Sequence, residues 1–139
     1  MEKDKYYETI KGEILNNEII RKVKDYSKNR SDLKTYASIG KTLEEAGKHY
    51  GKNIIKEYSE RLTNELNKNY SVRTLYNMRD YYRKIYCNVK LQPVAAILGW
   101  SHYCELFKIT DDTEMFYYIM LAHHENLSKR ELRTRIKNK

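Results

Sequence analysis

Apolar residues recur at intervals of three and four along most of this chain, which is the spacing of one face of an α-helix. The first such stripe contains Tyr7, Ile10, Ile14, Leu15, Ile19, Val23 and Tyr26. Charged residues lie between its members and make the opposite face of the helix polar. No stretch alternates clearly enough between apolar and polar residues to predict a β-strand. The pattern therefore predicts an all-α fold, a single compact bundle of about six helices over residues 1–139.

Capping residues indicate where these helices begin and end. Four serines, each placed just before an apolar periodic segment, are predicted N-caps: Ser31, Ser71, Ser101 and Ser128. Ser128 and Glu131 also have the spacing of a capping box, and Asp111 opens another helix. Asn67 and Asn126 suit the left-handed conformation in which many helices end, while Gly47 and Gly51 bracket a further break. The predicted segments are about 4–29, 31–47, 52–67, 72–89, a short turn at 93–98, 101–109, 113–125 and 129 onward.

Short connections join the helices on either side of residues 67–71 and of residues 125–128, which predicts helix-turn-helix-type units. The two following helices begin alike, because Tyr70-Ser71-Val72-Arg73-Thr74-Leu75 and Leu127-Ser128-Lys129-Arg130-Glu131-Leu132 both read apolar, Ser, x, Arg, x, Leu. Each motif combines a cap with an arginine in the first turn. Residues 93–109 also look like a small helix-turn-helix, but we interpret the helix 101–109 as part of the core, anchored by Trp100.

The chain is basic, with 27 Lys and Arg against 19 Asp and Glu and a net charge of +8. Residues 129–139 alone contain six basic residues and one acid. A cationic surface indicates an anionic partner such as nucleic acid, and an ordinary soluble basic surface is the alternative.

The chain has no apolar run of about 18 residues, which predicts no membrane span. Its charged start, Met1 to Lys5, lacks a signal region. We therefore expect a cytoplasmic protein in which Cys87 and Cys104 are reduced thiols, since two widely spaced cysteines do not form a disulfide framework.

Candidate DNA contacts fall on two helices. The predicted exposed side of the fourth helix has residue types that bond base edges or phosphates: Arg73, Tyr76, Asn77, Arg83 and Lys84. The last helix has cations at spacings that can follow a phosphate backbone: Lys129, Arg130, Arg133, Arg135 and Lys137. If about five phosphates were neutralised, the logarithmic salt dependence of binding would have a slope of about −4 to −5. The alternative for both sets is an ordinary solvated helix face.

Catalytic and metal-binding patterns are weak in this sequence. Ser101, His102 and Cys104 are near neighbours, but adjacent residues on a helix point in different directions, and a triad needs a base within hydrogen-bond reach. His123 and His124 lack the spacing of a zinc site, and no glycine-rich phosphate loop occurs. The sequence therefore predicts no enzyme activity, no cofactor and no metal.

Three segments together resemble the N-terminal domain of the YhcG-type bacterial proteins. They are Tyr50–Leu62, Tyr70–Arg79 and Leu98–Arg133, and Trp100-Ser101-His102-Tyr103 is the most specific element among them. The resemblance covers about residues 5–137 and implies a winged-helix-like DNA-binding module that normally precedes a PD-(D/E)XK nuclease domain. The chain departs from the family in that Gly99 replaces a serine and in that it stops at Lys139, so we expect the nuclease domain to be absent.

Taken together, the residues and the resemblance predict a non-catalytic, helix-turn-helix-type module that binds double-stranded DNA, as the targeting part of a bacterial or phage nuclease or mobile-element system. The alternative is an adaptor or inhibitor that binds a DNA-processing protein. We expect no membrane partner. Monomer and homodimer both stay open, and pairing is slightly favoured because modules of this type often bind two half-sites.

Overall fold

The structure is a computed structural model that describes residues 2–23, 28–88, 91 and 98–138, with the backbone alone at residues 2, 19–23 and 28–31. Its described part is all-α, as predicted, and contains seven α-helices, in agreement with the predicted number of about six. These helices are α1 (Glu2–Val23), α2 (Lys28–Tyr50), α3 (Asn53–Leu66), α4 (Val72–Asp80), α5 (Trp100–Leu106), α6 (Asp112–His124) and α7 (Lys129–Lys137). None of these described helices is both long and apolar enough to cross a membrane.

Most predicted caps are confirmed by hydrogen bonds. The Ser71 hydroxyl accepts from the Thr74 amide at 3.1 Å, and the Asp111 carboxylate accepts from the Glu114 amide at 3.1 Å. Ser128 and Glu131 form the reciprocal capping box, with bonds of 3.2 and 3.0 Å. The predicted left-handed exits are also present, with φ of 55° at Asn67 and 52° at Asn126. Local chemistry therefore sets both ends of the connections that precede α4 and α7.

Three predicted helix boundaries are wrong. Ser31 lies inside α2, which begins at Lys28, so the first helix does not continue to residue 29. Gly47 also lies inside α2, which ends only before Gly51, where φ is +80°. Ser101 lies inside α5, because that helix begins at Trp100 after Gly99. The predicted short turn at 93–98 falls almost entirely outside the described residues.

A π-helical segment, Tyr81–Tyr86, continues α4. The Cys87 amide donates to the Tyr82 carbonyl at 3.1 Å, an i→i+5 bond that makes this turn wider than an α-turn. The helical spacing after Leu75 and Met78 predicts that Tyr82 is buried with Ile85. Instead Tyr81 is buried and Tyr82 is half-buried.

Two apolar clusters form the core, and α2 and the continuous α4 and π-helical segment contribute to both. The first cluster fills the space between α1, α2, α3 and α4, and its fully buried members include Tyr7, Ile10, Leu43, Tyr58, Leu62 and Leu75. The second packs α5, α6 and α7 against α2 and the π-helical segment, and includes Leu33, Ile85, Tyr103, Leu106, Ile119 and Leu132. Trp100 contacts both, with ring centroids 4.5 Å from Tyr36 and 5.9 Å from Tyr81. The predicted anchor role of Trp100 is therefore confirmed.

Candidate nucleic-acid interface

The side of α4 that was predicted to contact DNA is only partly exposed. Arg73, in the first turn, is exposed as predicted. Asn77 is not: it is only 6% exposed, so the expectation that it lies on the exposed side of the helix is wrong. Its side chain hydrogen-bonds with the thiol of Cys104 on α5.

The other three predicted residues on this side of the chain are engaged within the protein. Tyr76 is half-buried, and the guanidinium carbon of Arg79 lies 4.6 Å from its ring centroid. Arg83 forms an ion pair with Glu44 of α2, and Lys84 Nζ lies 3.4 Å from Asp112 Oδ1. Of the five residues predicted here, Arg73 is thus the one that combines full exposure with a charge unpaired by any described carboxylate.

The basic last helix divides into paired and unpaired cations. Arg133 bonds Glu105 Oε1 through Nη2 at 2.6 Å and Nε at 3.0 Å, and Arg135 Nη2 bonds Glu125 Oε1 at 2.7 Å. The remaining predicted cations of α7 are exposed and form no ion pair with any described residue: Lys129, Arg130 and Lys137. Helix α7 therefore has fewer unpaired cations available for an anionic partner than its composition indicates.

Asn77 in the second turn of α4 and Lys129 at the start of α7 both act on Cys104 of α5. Burial raises the pKa of the Cys104 thiol, while the hydrogen bond from Asn77 and the charge of Lys129 oppose that rise. Cys104 therefore lies close to both helices. Because Arg73 precedes Asn77 by one turn on α4, the two residues share one face of that helix. We call Arg73, Lys129, Arg130 and Lys137 the α4–α7 basic face.

A buried carboxylate that the sequence pattern did not reveal holds this arrangement together. Glu105 of α5 is 5% exposed and accepts bonds from Arg133, with Lys108 Nζ 3.2 Å from its other oxygen. The hydrogen bond from Arg133 is the main cause that lowers the pKa of Glu105 below its ordinary value. The only signal in the sequence is a glutamate placed within the apolar face of a helix. Arg133 therefore anchors α7 to α5 instead of pointing freely into solvent.

His102 provides a second link between α5 and the connection before α7. Its Nδ1 accepts from the Gly99 amide at 3.1 Å, and its Nε2 lies 2.8 Å from the Leu127 carbonyl oxygen. Because Nδ1 accepts, Nε2 must hold the proton and donate to Leu127, which defines a neutral imidazole. Both ring nitrogens are thus used in the fold, which removes His102 as a base for Ser101 or Cys104 in this conformation.

The fold and this surface define a class: a basic, all-α module in which the connections before α4 and α7 lead into serine-capped helices with an exposed first-turn arginine. The chain belongs to the family of the DUF1016 N-terminal domain, whose model matches residues 14–139. This match confirms the resemblance to YhcG-type N-terminal domains, which typically precede a nuclease domain. No curated protein and no solved structure matches the chain.

Proposed function

We propose that this chain is a non-catalytic module that binds double-stranded DNA through the α4–α7 basic face. The observation that supports the proposal is that Arg73 of α4 and Lys129 and Arg130 of α7 are all exposed and that none is paired with a described carboxylate. Unpaired cations can release counterions from the DNA phosphates without first breaking an internal ion pair.

Helix geometry favours phosphates as the main target of this face. Ser71 and Ser128 satisfy one amide in the first turn of each helix, and the positive ends of both helix dipoles lie near the exposed cations. The burial of Asn77 removes the best candidate for bidentate base contact on α4. The proposal is therefore binding that depends on DNA charge and shape more than on base sequence.

Charge reversal tests this proposal with controls of the same residue type. Arg73→Glu and Lys129→Glu should each weaken binding to a mixed-sequence duplex by about tenfold or more, because each change removes a phosphate contact and adds a repulsive charge. The matched controls are Lys5→Glu on α1 and Lys56→Glu on α3, which are also exposed but lie on helices of the first core cluster. Fluorescence anisotropy at about 50 mM salt measures the dissociation constants.

The proposal predicts different DNA affinities for the two sets of variants. Loss of affinity at residues 73 and 129 with retained affinity at residues 5 and 56 supports the α4–α7 basic face. Equal losses in all four variants would indicate attraction by net charge alone and contradict a localised interface. Circular dichroism of each variant checks that the helical content is unchanged.

A protein partner is the second candidate function, and one observation favours it. On α6, Tyr117 and Met120 are three residues apart and are 60% and 37% exposed. Tyrosine and methionine are enriched at protein interfaces. If the module acts as an adaptor or inhibitor of a DNA-processing protein, Tyr117→Ala should disrupt the complex while Arg73→Glu leaves it intact.

A further inference from the structure

A cavity of about 180 Å³ lies between the second half of α2, the start of α3 and the end of α4. Its charged lining consists of Lys48, Lys52, Arg79 and Arg83 against the single carboxylate of Glu44. None of these residues belongs to the α4–α7 basic face, so the cavity is separate from the proposed DNA interface.

One of the four cations is neutralised by the carboxylate. Glu44 forms an ion pair with Arg83. The hydrogen bond from Arg83 is the main cause that lowers the pKa of Glu44, and the charges of Arg79 and Lys48 add to the effect. Lys48, Lys52 and Arg79 therefore line the cavity without a carboxylate of their own, because Glu44 is the only acidic residue in its lining.

Arg79 has an unused donor in this region. Its guanidinium carbon lies 4.6 Å from the ring centroid of Tyr76, which fixes the side chain by a cation–π contact. Its Nε is buried, and among the described residues no acceptor takes a hydrogen bond from it. A buried donor without an acceptor is unfavourable, so the Arg79 guanidinium keeps unused hydrogen-bonding capacity beside the cavity.

The backbone at the cavity adds to its preference for an anion. The 14-residue helix α3 begins directly after Lys52, whose side chain makes no cap hydrogen bond, so the positive end of the helix dipole lies at the rim. Gly47 lines the cavity without a side chain, and a Cβ added there would meet open space. The lining thus leaves room for a group about the size of a phosphate.

The size and the charge of the cavity indicate which kind of phosphate group it can bind. Sites for drug-sized ligands begin at about 300 Å³, so this cavity is too small to enclose a nucleoside. A phosphodiester has one negative charge, whereas a phosphate monoester has about 1.5 to 2 at neutral pH. Four cations against one carboxylate suit the more highly charged group. We propose that this cavity binds a phosphate monoester, the group found at the 5′ end of a nucleic-acid strand and in a mononucleotide.

A paired oligonucleotide experiment tests the proposal. One short single strand, labelled at its 3′ end, is prepared with and without a 5′-phosphate, and binding is measured by fluorescence anisotropy. We expect the phosphorylated strand to bind about tenfold tighter, because charge-assisted hydrogen bonds to the terminal group are added. AMP and inorganic phosphate serve as competitors and show whether the phosphate of a free small molecule binds as well.

The double variant Lys48→Gln/Lys52→Gln should abolish the difference between the two strands. Both side chains are exposed, so the variant is expected to fold. The matched control, Lys5→Gln/Lys56→Gln, removes the same charge elsewhere and should keep the difference. Gly47→Leu should also abolish it, by filling the cavity without changing any charge.

The outcomes separate this site from the DNA interface. A 5′-phosphate preference lost in the cavity variants and retained in Arg73→Glu supports the proposal. Saturable binding of AMP or inorganic phosphate, lost in the same variants, supports it with a small molecule as the source of the phosphate. Equal affinity for the two strands together with no binding of AMP or phosphate would overturn it, whether or not duplex DNA binds through the α4–α7 basic face.

Discussion

Single close contacts decide how α2 packs on α4. Gly40 lies so near α4 that a Cβ built on it would be 2.1 Å from the Met78 carbonyl oxygen and 2.9 Å from the Tyr82 Cβ. The contact is with backbone, which cannot rotate away as the end of a side chain can. A glycine at this position therefore permits the close approach of the two helices.

Gly40→Ala should lower the free energy of unfolding by about 2 kcal/mol or more, because the helices must separate to admit the methyl group. Gly47→Ala is the matched control in the same helix. Its added Cβ meets nothing within 4 Å, so it should raise stability by about 0.5–1 kcal/mol through helix propensity. Urea denaturation of the two variants measures both effects. Similar effects in both variants would refute the proposed role of Gly40.

The carboxylate of Glu105 gives a prediction about pH. Its pKa is lowered in the folded protein, mainly by Arg133, so the stability it contributes is present above the unfolded pKa of about 4.3. That contribution is lost as pH falls through the lower folded value. Glu105→Gln should therefore cost about 1–3 kcal/mol at pH 7 and progressively less below about pH 4.

Urea denaturation of wild type and Glu105→Gln across acid and neutral pH checks this prediction. Glu125→Gln is the control, because its ion pair with Arg135 has side chains 43% and 49% exposed, is screened by solvent and should contribute little to stability. A cost of Glu105→Gln that stays the same from pH 7 to pH 3 would show that the ionised carboxylate is not the stabilising species.

The starts of α4 and α7 were predicted correctly because local sequence determines these helix ends. Ser71 and Ser128 bond amides only three residues ahead, so their roles follow from local sequence. Ser101 occupies an apparently similar place but lies inside α5, because Gly99 and His102 form the start of that helix. Replacing a true cap should therefore matter and replacing Ser101 should not.

Ser71→Ala and Ser128→Ala should each lower the free energy of unfolding by about 1 kcal/mol, because an amide in the first turn loses its acceptor. Ser101→Ala should change stability by less than about 0.5 kcal/mol, since the residue is exposed in the helix interior. Thermal or urea unfolding of the three variants measures the differences. A cost at residue 101 as large as at residue 71 would restore Ser101 as a cap.

Long-range contacts account for what the sequence pattern could not predict. The helical spacing of apolar residues predicted an all-α fold, but a regular period cannot show the wider turn at Tyr81–Tyr86. Asn77 belongs to a polar stripe in the sequence but is buried, with its side chain bonded to Cys104, which lies 27 residues further along the chain. Likewise Arg133 and Arg83 are basic residues like their neighbours, and their partners Glu105 and Glu44 are 28 and 39 residues away.

The distribution of free charge is the property of the whole molecule on which its proposed function depends. Much of the positive charge predicted for DNA is used in internal ion pairs, which link α2 to the π-helical segment and α5 to α7. The α4–α7 basic face retains four unpaired cations, compared with about five phosphate contacts expected from composition. The structure therefore predicts a weaker salt dependence than the sequence does.

The salt dependence of binding to a mixed-sequence duplex tests the central claim most directly. With four cations neutralising phosphates, the logarithm of the association constant should fall against the logarithm of salt concentration with a slope of about −3 to −4 between roughly 50 and 200 mM. Saturable binding with that slope, reduced by about one in Lys129→Gln and unchanged in Lys56→Gln, is the expected result. No saturable binding at the lowest salt concentration, or a slope near zero, would contradict the account.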